Sequence, residues 1–408
     1  MATAAGSAPS ALAAPPSAAP LPTRAGLSAA VDALLRAPGL GAQVRARVVD
    51  IASGAVLLDR SGSAAATPAS TAKLLTAAAL LAVRRPTDRL RTVVRAGTGG
   101  SIVLVGAGDP TLSAAAPGQS SRYPGAARLS ELAAQLRAAH LRVTSIVVAD
   151  GLFRGPAVSP AWAADDVPSD YGAPITAVMA DGGRAAPADV VRSNQPDLDA
   201  GHALARLLDV PALPVRRGAA GNGAALASVW SAPLGTLIGQ MLRYSDNVIA
   251  ECLGRQVALA DRGQPSFTGA AAAIAAVLHR LGVAVGTGMV DASGLAERDR
   301  LSPAVLVAVL RTSARTPRLR DALDGLPVAG WSGTLVGRYD TGVSRAGIGA
   351  VRAKTGTLTG VSALAGLVHD RSGALLGFAV LADRTPDNVA AEHALDDVAG
   401  RLALCGCR

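Results

Sequence analysis

Residues 68–81 read Pro68-Ala69-Ser70-Thr71-Ala72-Lys73-Leu74-Leu75-Thr76-Ala77-Ala78-Ala79-Leu80-Leu81. Pro68 closes an extended stretch, since proline biases its predecessor away from the helical region. From Ser70 onward the run is apolar on nearly every side, the pattern of a buried helix. Ser70 and Lys73 are three apart, so their side chains face the same way, one turn apart. The helix start supplies free N–H groups and a positive potential that favour negative charge developing on Ser70 Oγ. A neutral Lys73 would take the hydroxyl proton and turn Ser70 into a nucleophile. Taken alone, the same pattern also fits an N-capping serine before a helical lysine.

Lysine usage separates these readings. The chain of 408 residues holds two lysines, Lys73 and Lys354, against 37 arginines. Arginine stays protonated in proteins, whereas lysine loses its proton when buried or set beside another cation. A chain that uses arginine for ordinary positive charge keeps lysine where a titratable amine or a compact ammonium is needed. Lys354 stands in Ala353-Lys354-Thr355-Gly356-Thr357. On a strand, Lys354 supplies charge, Thr355 a hydroxyl, and Gly356 room for close substrate approach. Between the two lysines lies Tyr244-Ser245-Asp246-Asn247, in a helical stretch. If a short loop interrupts that helix, Ser245 and Asn247 reach one pocket. The hydroxyl would then relay a proton to a leaving amine, and the amide would hold Lys73 and a substrate carbonyl.

Working outward, Ala29 to Leu35 reads as a short helix. Gln43 to Asp50 alternates as a half-buried strand, and Ser53-Gly54 turns it back through Ala55–Asp59. Residues 86–225 change character. Strand-like pieces at Arg91–Arg95, Ser101–Val105 and Val143–Ala149, one amphipathic helix at Ser130–Ala139 and many Pro/Gly loops read as an inserted α/β domain. Helical texture returns over Leu234–Ala260 and Ala270–Leu281. The chain then ends with a strand at Ala350–Thr357, a hairpin of Ser362–His369 and Ala374–Leu381, and a helix at Asp387–Leu404. The expected fold class is α+β: an antiparallel sheet built from both chain ends and flanked by helices. The expected division is a flexible Ala/Pro-rich tail over 1–25, a discontinuous main domain over 26–85 and 226–404, and the insert.

Half of the residues are hydrophobic and only 2% aromatic, so the core must be Ala, Val and Leu. Stacking platforms for single strands and dense Lys/Arg clusters are missing from the sequence, so no nucleic-acid partner is expected. The net charge of +9 suits peripheral contact with an anionic membrane or acidic wall polymers. Of the cysteines, Cys252 reads as a buried apolar residue. A bridge from it to Cys405 or Cys407 stays open. No ligand set for a metal is apparent, and no cofactor is expected. Met1–Arg24 lacks the basic and Leu-rich regions of an export signal and reads as a linker.

The order Ser70-x-x-Lys73, Ser245-x-Asn247, Lys354-Thr355-Gly356 resembles the serine penicillin-recognising enzymes. The 175 residues from Ser70 to Ser245 resemble the D-Ala-D-Ala carboxypeptidase/endopeptidase family, the class C low-molecular-mass penicillin-binding proteins of actinobacterial type. Val105–Leu112, Asp291-Ala292-Ser293-Gly294-Leu295 and Leu326–Leu335 are similar to that family too, and the resemblance runs over about residues 26 to 404. It implies a serine β-lactamase/transpeptidase-like domain with one insert, located outside the cytoplasm although no export signal is evident. It also implies roles. Ser70 would be the acylated nucleophile and Lys73 its base. Ser245, assisted by Lys354, would pass a proton to the leaving D-alanine, and Asn247 would bind the substrate amide. Thr355 and Thr357 would hold the terminal carboxylate, beside Gly356. The N–H groups of Ser70 and Thr357 would form the oxyanion hole. Asp246 would be structural. The implied partners are peptidoglycan stem peptides, with β-lactams as inhibitors. Two alternatives share these motifs: a β-lactamase, and a non-catalytic wall scaffold on the same fold. Against the first, no Glu-x-x-x-Asn follows Ser245. Against the second, none of the motif residues is lost.

Overall fold

The computed structural model describes residues 19–407. Along the chain come α1 (Arg24–Val31), β1 (Gln43–Asp50), β2 (Val56–Arg60), α2 (Lys73–Val83), β3 (Arg91–Ala96), β4 (Ser101–Val105), α3 (Leu129–Ala138) and β5 (Ser145–Ala149). There follow α4 (Pro196–Leu207), β6 (Val215–Arg217), β7 (Ala225–Trp230), α5 (Leu234–Tyr244), α6 (Asn247–Ala260), α7 (Phe267–Arg280), α8 (Pro303–Arg315) and α9 (Asp321–Asp324). The chain closes with β8 (Val351–Leu358), β9 (Val361–His369), β10 (Leu375–Asp383) and α10 (Asn388–Ala403).

Two sheets organise these elements. The first, β2-β1-β10-β9-β8, is antiparallel and joins the two chain ends, with Gln43 opposite Asp383 and Lys354 opposite Ala365. Its period-2 alternation sorts side chains onto two faces. Ala363, Ala365, Leu367, Ala379 and Leu381 face α2, α6, α7 and α8. Leu364, Val368, Phe378, Val380 and Ala382 face α1 and α10. α2 lies inside the first of these layers. Its residues from Lys73 to Leu81 are all buried, as a run apolar on all sides requires. Each fully buried leucine there contributes roughly 1.5–3 kcal/mol.

The second sheet, β6-β5-β4-β3-β7, is mixed: β4, β5 and β6 run parallel, and β3 is antiparallel to both β4 and β7. α3 and α4 cover one face of it. Its last strand, β7, runs to Trp230, so this sheet reaches past the division expected at 225/226. A fourth cluster joins the 153–179 stretch to α6 and α7 through Phe153, Trp162, Met179, Val248 and Phe267.

The N-terminal expectation changes. Residues 1–18 of the expected tail lie outside the described residues, but the helix begins at Arg24 rather than Ala29. Thr23 Oγ1 caps it by accepting from Gly26 N at 3.0 Å, and Leu27 and Val31 form its buried stripe, which Leu35 continues in the following 3-10 turn. Cys405 and Cys407 are bonded to each other. Cys252 is free and buried in a different cluster from Cys405, so the bridge left open from Cys252 to the tail does not form. No helix among the described residues is long and apolar enough to cross a membrane.

Candidate active site

Three separated segments converge on the edge of the first sheet. Ser70 lies in a 3-10 turn, Ala69–Ala72, that leads into α2, and Ala69 before it takes a left-handed φ of +45°. The helical stretch around 245 is interrupted. Ser245 has φ +57° between α5 and α6, and Asp246 caps α6 by accepting from Ile249 N at 3.0 Å. Backbone held in this region by non-glycine residues costs of order 1–3 kcal/mol and persists only where the surroundings enforce it. The third segment is β8, which carries Lys354, Thr355, Gly356 and Thr357.

The side chains form two short chains of hydrogen bonds. Lys73 Nζ donates to Ser70 Oγ at 2.7 Å, to Asn247 Oδ1 at 2.6 Å and to the Ser293 carbonyl at 2.8 Å. Lys354 Nζ donates to Ser245 Oγ at 2.9 Å and to the Thr355 carbonyl at 2.7 Å. Both lysines are fully buried. Burial lowers Lys73 to about 8, against the opposing charges of Asp291, Asp246, Glu251 and Asp299. Burial, with the charges of Lys73 and Arg338, pushes Lys354 well below the ordinary lysine value. Near neutrality a real fraction of Lys73 is therefore an unprotonated amine already in contact with a hydroxyl.

The remaining motif residues are placed less uniformly. Asn247 Nδ2 donates to the Tyr171 carbonyl at 3.2 Å. Thr355 is nearly buried and donates to Thr334 Oγ1 at 2.9 Å. Thr357 is exposed and donates to Glu392 Oε1 at 3.0 Å. Gly356 meets a constraint the sequence did not reveal: a Cβ there would lie 2.7 Å from the Pro68 carbonyl oxygen and 3.2 Å from Ser70 N. Its bare backbone lets β8 lie against the turn that carries Ser70. Asp246 accepts from Tyr123 Oη at 2.7 Å and from Arg192 at 3.1 Å. Burial alone would raise its pKa, but Arg192, Tyr123 and the Ile249 N–H outweigh that and hold it at about 2.

A cleft of about 680 Å³ opens over these groups, lined by Ser70, Tyr244, Ser245, Asn247 and Thr357, with Ala163, Asp165, Asp166 and Tyr171 as one wall. That wall comes from the 86–225 stretch, from the loop between β5 and α4. Sequence reasoning missed the Ser293 carbonyl, Tyr171, Thr334 and Glu392. A backbone carbonyl carries no residue-type signal, and the other three were recognisable only by their position in the fold. Among the described residues no cluster of metal-ligating side chains is present.

The family model for D-Ala-D-Ala carboxypeptidase 3 (S13) matches residues 27–194 and 184–403. A carboxypeptidase of Mycobacterium tuberculosis is 41% identical over 396 residues, which is 95% of this chain and 85% of that one. Carboxypeptidase DacB of Mycolicibacterium smegmatis is 43% identical over 399 residues, 95% of this chain and 86% of its own. Among solved structures, penicillin binding protein 4 of Haemophilus influenzae superposes with a TM-score of 0.76 at 21% identity, covering 92% of this chain and 99% of its own. The same protein complexed with a β-lactam gives 0.67 at 22% identity, covering 92% and 98%.

Proposed function

The chain belongs to the D-Ala-D-Ala carboxypeptidase 3 (S13) family, and from that premise we propose that it is a serine D-Ala-D-Ala carboxypeptidase, also able to act as an endopeptidase, working through a Ser70 acyl-enzyme. The observation that carries the reading is the contact of Lys73 Nζ with Ser70 Oγ at 2.7 Å, made by a lysine lowered to about 8.

In this reading Ser70 Oγ attacks the carbonyl carbon between the two terminal D-alanines and its proton passes to neutral Lys73. The N–H groups of Ser70 and Thr357 receive the oxyanion. As the C–N bond breaks, the leaving D-alanine takes a proton from Ser245 Oγ, which Lys354 resupplies. Water then adds to the ester carbonyl and its proton passes to Ser70 Oγ as the C–O bond breaks, while the proton held by Lys73 returns to Lys354, which restores the starting enzyme. Asn247 binds the substrate amide, and Thr355 and Thr357 hold the terminal carboxylate beside Gly356. A β-lactam acylates the same serine, but its leaving nitrogen stays tethered and blocks the approach of water.

Residues 26–85 and 226–404, apart from β7, form the transpeptidase-like body in this reading, and residues 86–225 with β7 form an inserted domain. Substrates of this kind place the enzyme outside the cytoplasm, where its charge of +9 favours contact with anionic wall polymers or membrane. The test is intact mass after incubation with benzylpenicillin, followed by peptide mapping. A persistent adduct on Ser70, together with D-alanine release from a stem-peptide analogue, is expected. Rapid turnover of the antibiotic without an adduct would make the protein a β-lactamase, and an untouched antibiotic would make it a scaffold.

A further inference from the structure

The three hydrogen bonds of Lys73 are not equivalent. When the amine is neutral it keeps two N–H groups and one lone pair. Asn247 Oδ1 and the Ser293 carbonyl accept the two N–H groups, and the lone pair is left facing Ser70 Oγ. The two acceptors therefore aim the base.

Each acceptor is held by one end of the same cleft-wall segment. At its start, Trp162 Nε1 donates to Asp291 Oδ2 at 2.8 Å in a buried contact. That carboxylate also accepts from Ala296 N at 2.8 Å, Ser293 N at 3.0 Å and Gly294 N at 2.6 Å, so it folds the loop that presents the Ser293 carbonyl. Gly294, at φ +76°, has no room for a Cβ beside the Ala69 carbonyl, which seats this loop against the nucleophile's own turn. At the segment's other end the Tyr171 carbonyl accepts from Asn247 Nδ2 at 3.2 Å. Asp166 braces the span between them, accepting from Ala163 N at 2.7 Å and from Tyr171 Oη at 3.2 Å.

We propose that Trp162 is a positioning residue for acylation: through Asp291 it fixes the Ser293 carbonyl, and with Tyr171 on Asn247 it makes the wall segment 162–171 the frame that aims Lys73 at Ser70. Substrate contacts along Ala163, Asp165, Asp166 and Tyr171 are then felt at the base as well as in binding. The inference rests on the reading of Ser70 as nucleophile and Lys73 as base. The titratable groups acting on Lys73 are Asp246 and Glu251 at and within α6, Asp291 and Asp299 on the loop, and Lys354 on β8; burial raises Glu251 to about 7 and Asp299 to about 10.

The test is the second-order rate of Ser70 acylation by benzylpenicillin, measured against pH by quenched intact mass, with Tm recorded for each variant. Trp162→Phe keeps a ring to pack edge-on against Phe267, where the native centroids are 5.0 Å apart, but loses the N–H. Its rate at pH 7 should fall about tenfold, the factor a buried hydrogen bond to a charged group is worth. Its rising limb should also move to higher pH, because a less compensated Asp291 favours protonated Lys73. Trp162→His, which retains a ring N–H, should recover part of the rate and carries the comparison if the phenylalanine variant does not fold. Phe267→Leu, a packing control, should lower Tm and leave the pH limb in place.

A wild-type rate and limb in Trp162→Phe would overturn the proposal. A rate loss with an unmoved limb would overturn it too, since packing alone explains that result. A limb displaced equally in Phe267→Leu would do the same. Absence of any Ser70 adduct in the wild-type protein would instead refute the nucleophile reading beneath it.

Discussion

Gly356 and Pro68 approach so closely that a Cβ on the glycine would sit 2.7 Å from the proline's carbonyl oxygen. The strand carrying Lys354 and the turn carrying Ser70 are therefore in contact through bare backbone. Gly356→Ala must push one of them aside by several tenths of an ångström. Displacements on that scale at a reacting centre cost heavily in rate. The expected outcome is a fall of about tenfold to a hundredfold in acylation by benzylpenicillin, with a lower Tm. Acylation at the wild-type rate would show that the turn has slack that this packing does not suggest.

Lys73→Arg tests why lysine survives here at all. The substitution keeps positive charge in a fully buried position but removes the titratable amine. Acylation should drop by about a thousandfold, the range in which a general base contributes. Thermal unfolding checks that the variant is folded, and a folded variant acylating at the wild-type rate refutes Lys73 as the base.

How much of this was readable beforehand depended on the kind of signal. Strands β1, β8, β9 and β10 alternate or run apolar between clear turns, and the burial of α2 followed from its composition. Helices α4 and α8 were overlooked although each opens with Pro at a first-turn position, and Ser302 caps α8. These start signals were legible and were outweighed by surrounding loop-like composition. The start of α1 was hidden in the same way behind an Ala/Pro-rich stretch. In the site, side-chain identity and spacing pointed to Ser70, Lys73, Ser245, Asn247 and Lys354, which the fold brings into contact. Spacing said nothing of the left-handed turn at Ser245, which packing enforces. Nor did it show that Trp162 and Tyr171, far along the chain, reach the partners of Lys73.

Acylation should depend on pH in a stated direction. In the proposed mechanism Lys73 acts as a base only when neutral, and its burial places it at about 8. The rate should rise through neutrality and level off above about 8. A profile flat from pH 6 to pH 9 would remove the titrating amine from the mechanism.

Asp246 gives a stability prediction of the same sense, at lower pH. Its folded value of about 2 lies below the ordinary 3.8, so its contribution is fully present above 3.8 and lost as pH falls through 2. It also neutralises Arg192, whose side chain is 3% exposed. Asp246→Asn leaves that guanidinium buried without its counter-charge, a loss of about 3–5 kcal/mol. Denaturant unfolding at pH 7 should report a loss on this scale, shrinking as the wild-type protein is acidified. Equal stability of the two proteins at pH 7 would mean that Arg192 finds another partner.

Glu392 sits where a carboxylate is least expected, accepting a hydrogen bond from Thr357 at 3.0 Å. Thr357 is assigned above to the substrate's own terminal carboxylate, so two anions compete for one hydroxyl proton. Arg338 at 3.6 Å offsets part of the charge, although it is committed to Asp396 by two shorter contacts of 3.0 and 2.7 Å. Glu392→Gln keeps the size of the side chain and removes the negative charge. Because the glutamate side chain is 31% exposed, solvent screens the repulsion, and the gain is modest. KM for a stem-peptide analogue should fall about threefold with kcat little changed, and the difference should fade at high salt. A higher KM in Glu392→Gln would mean that the carboxylate orients Thr357 for the substrate instead of competing with it.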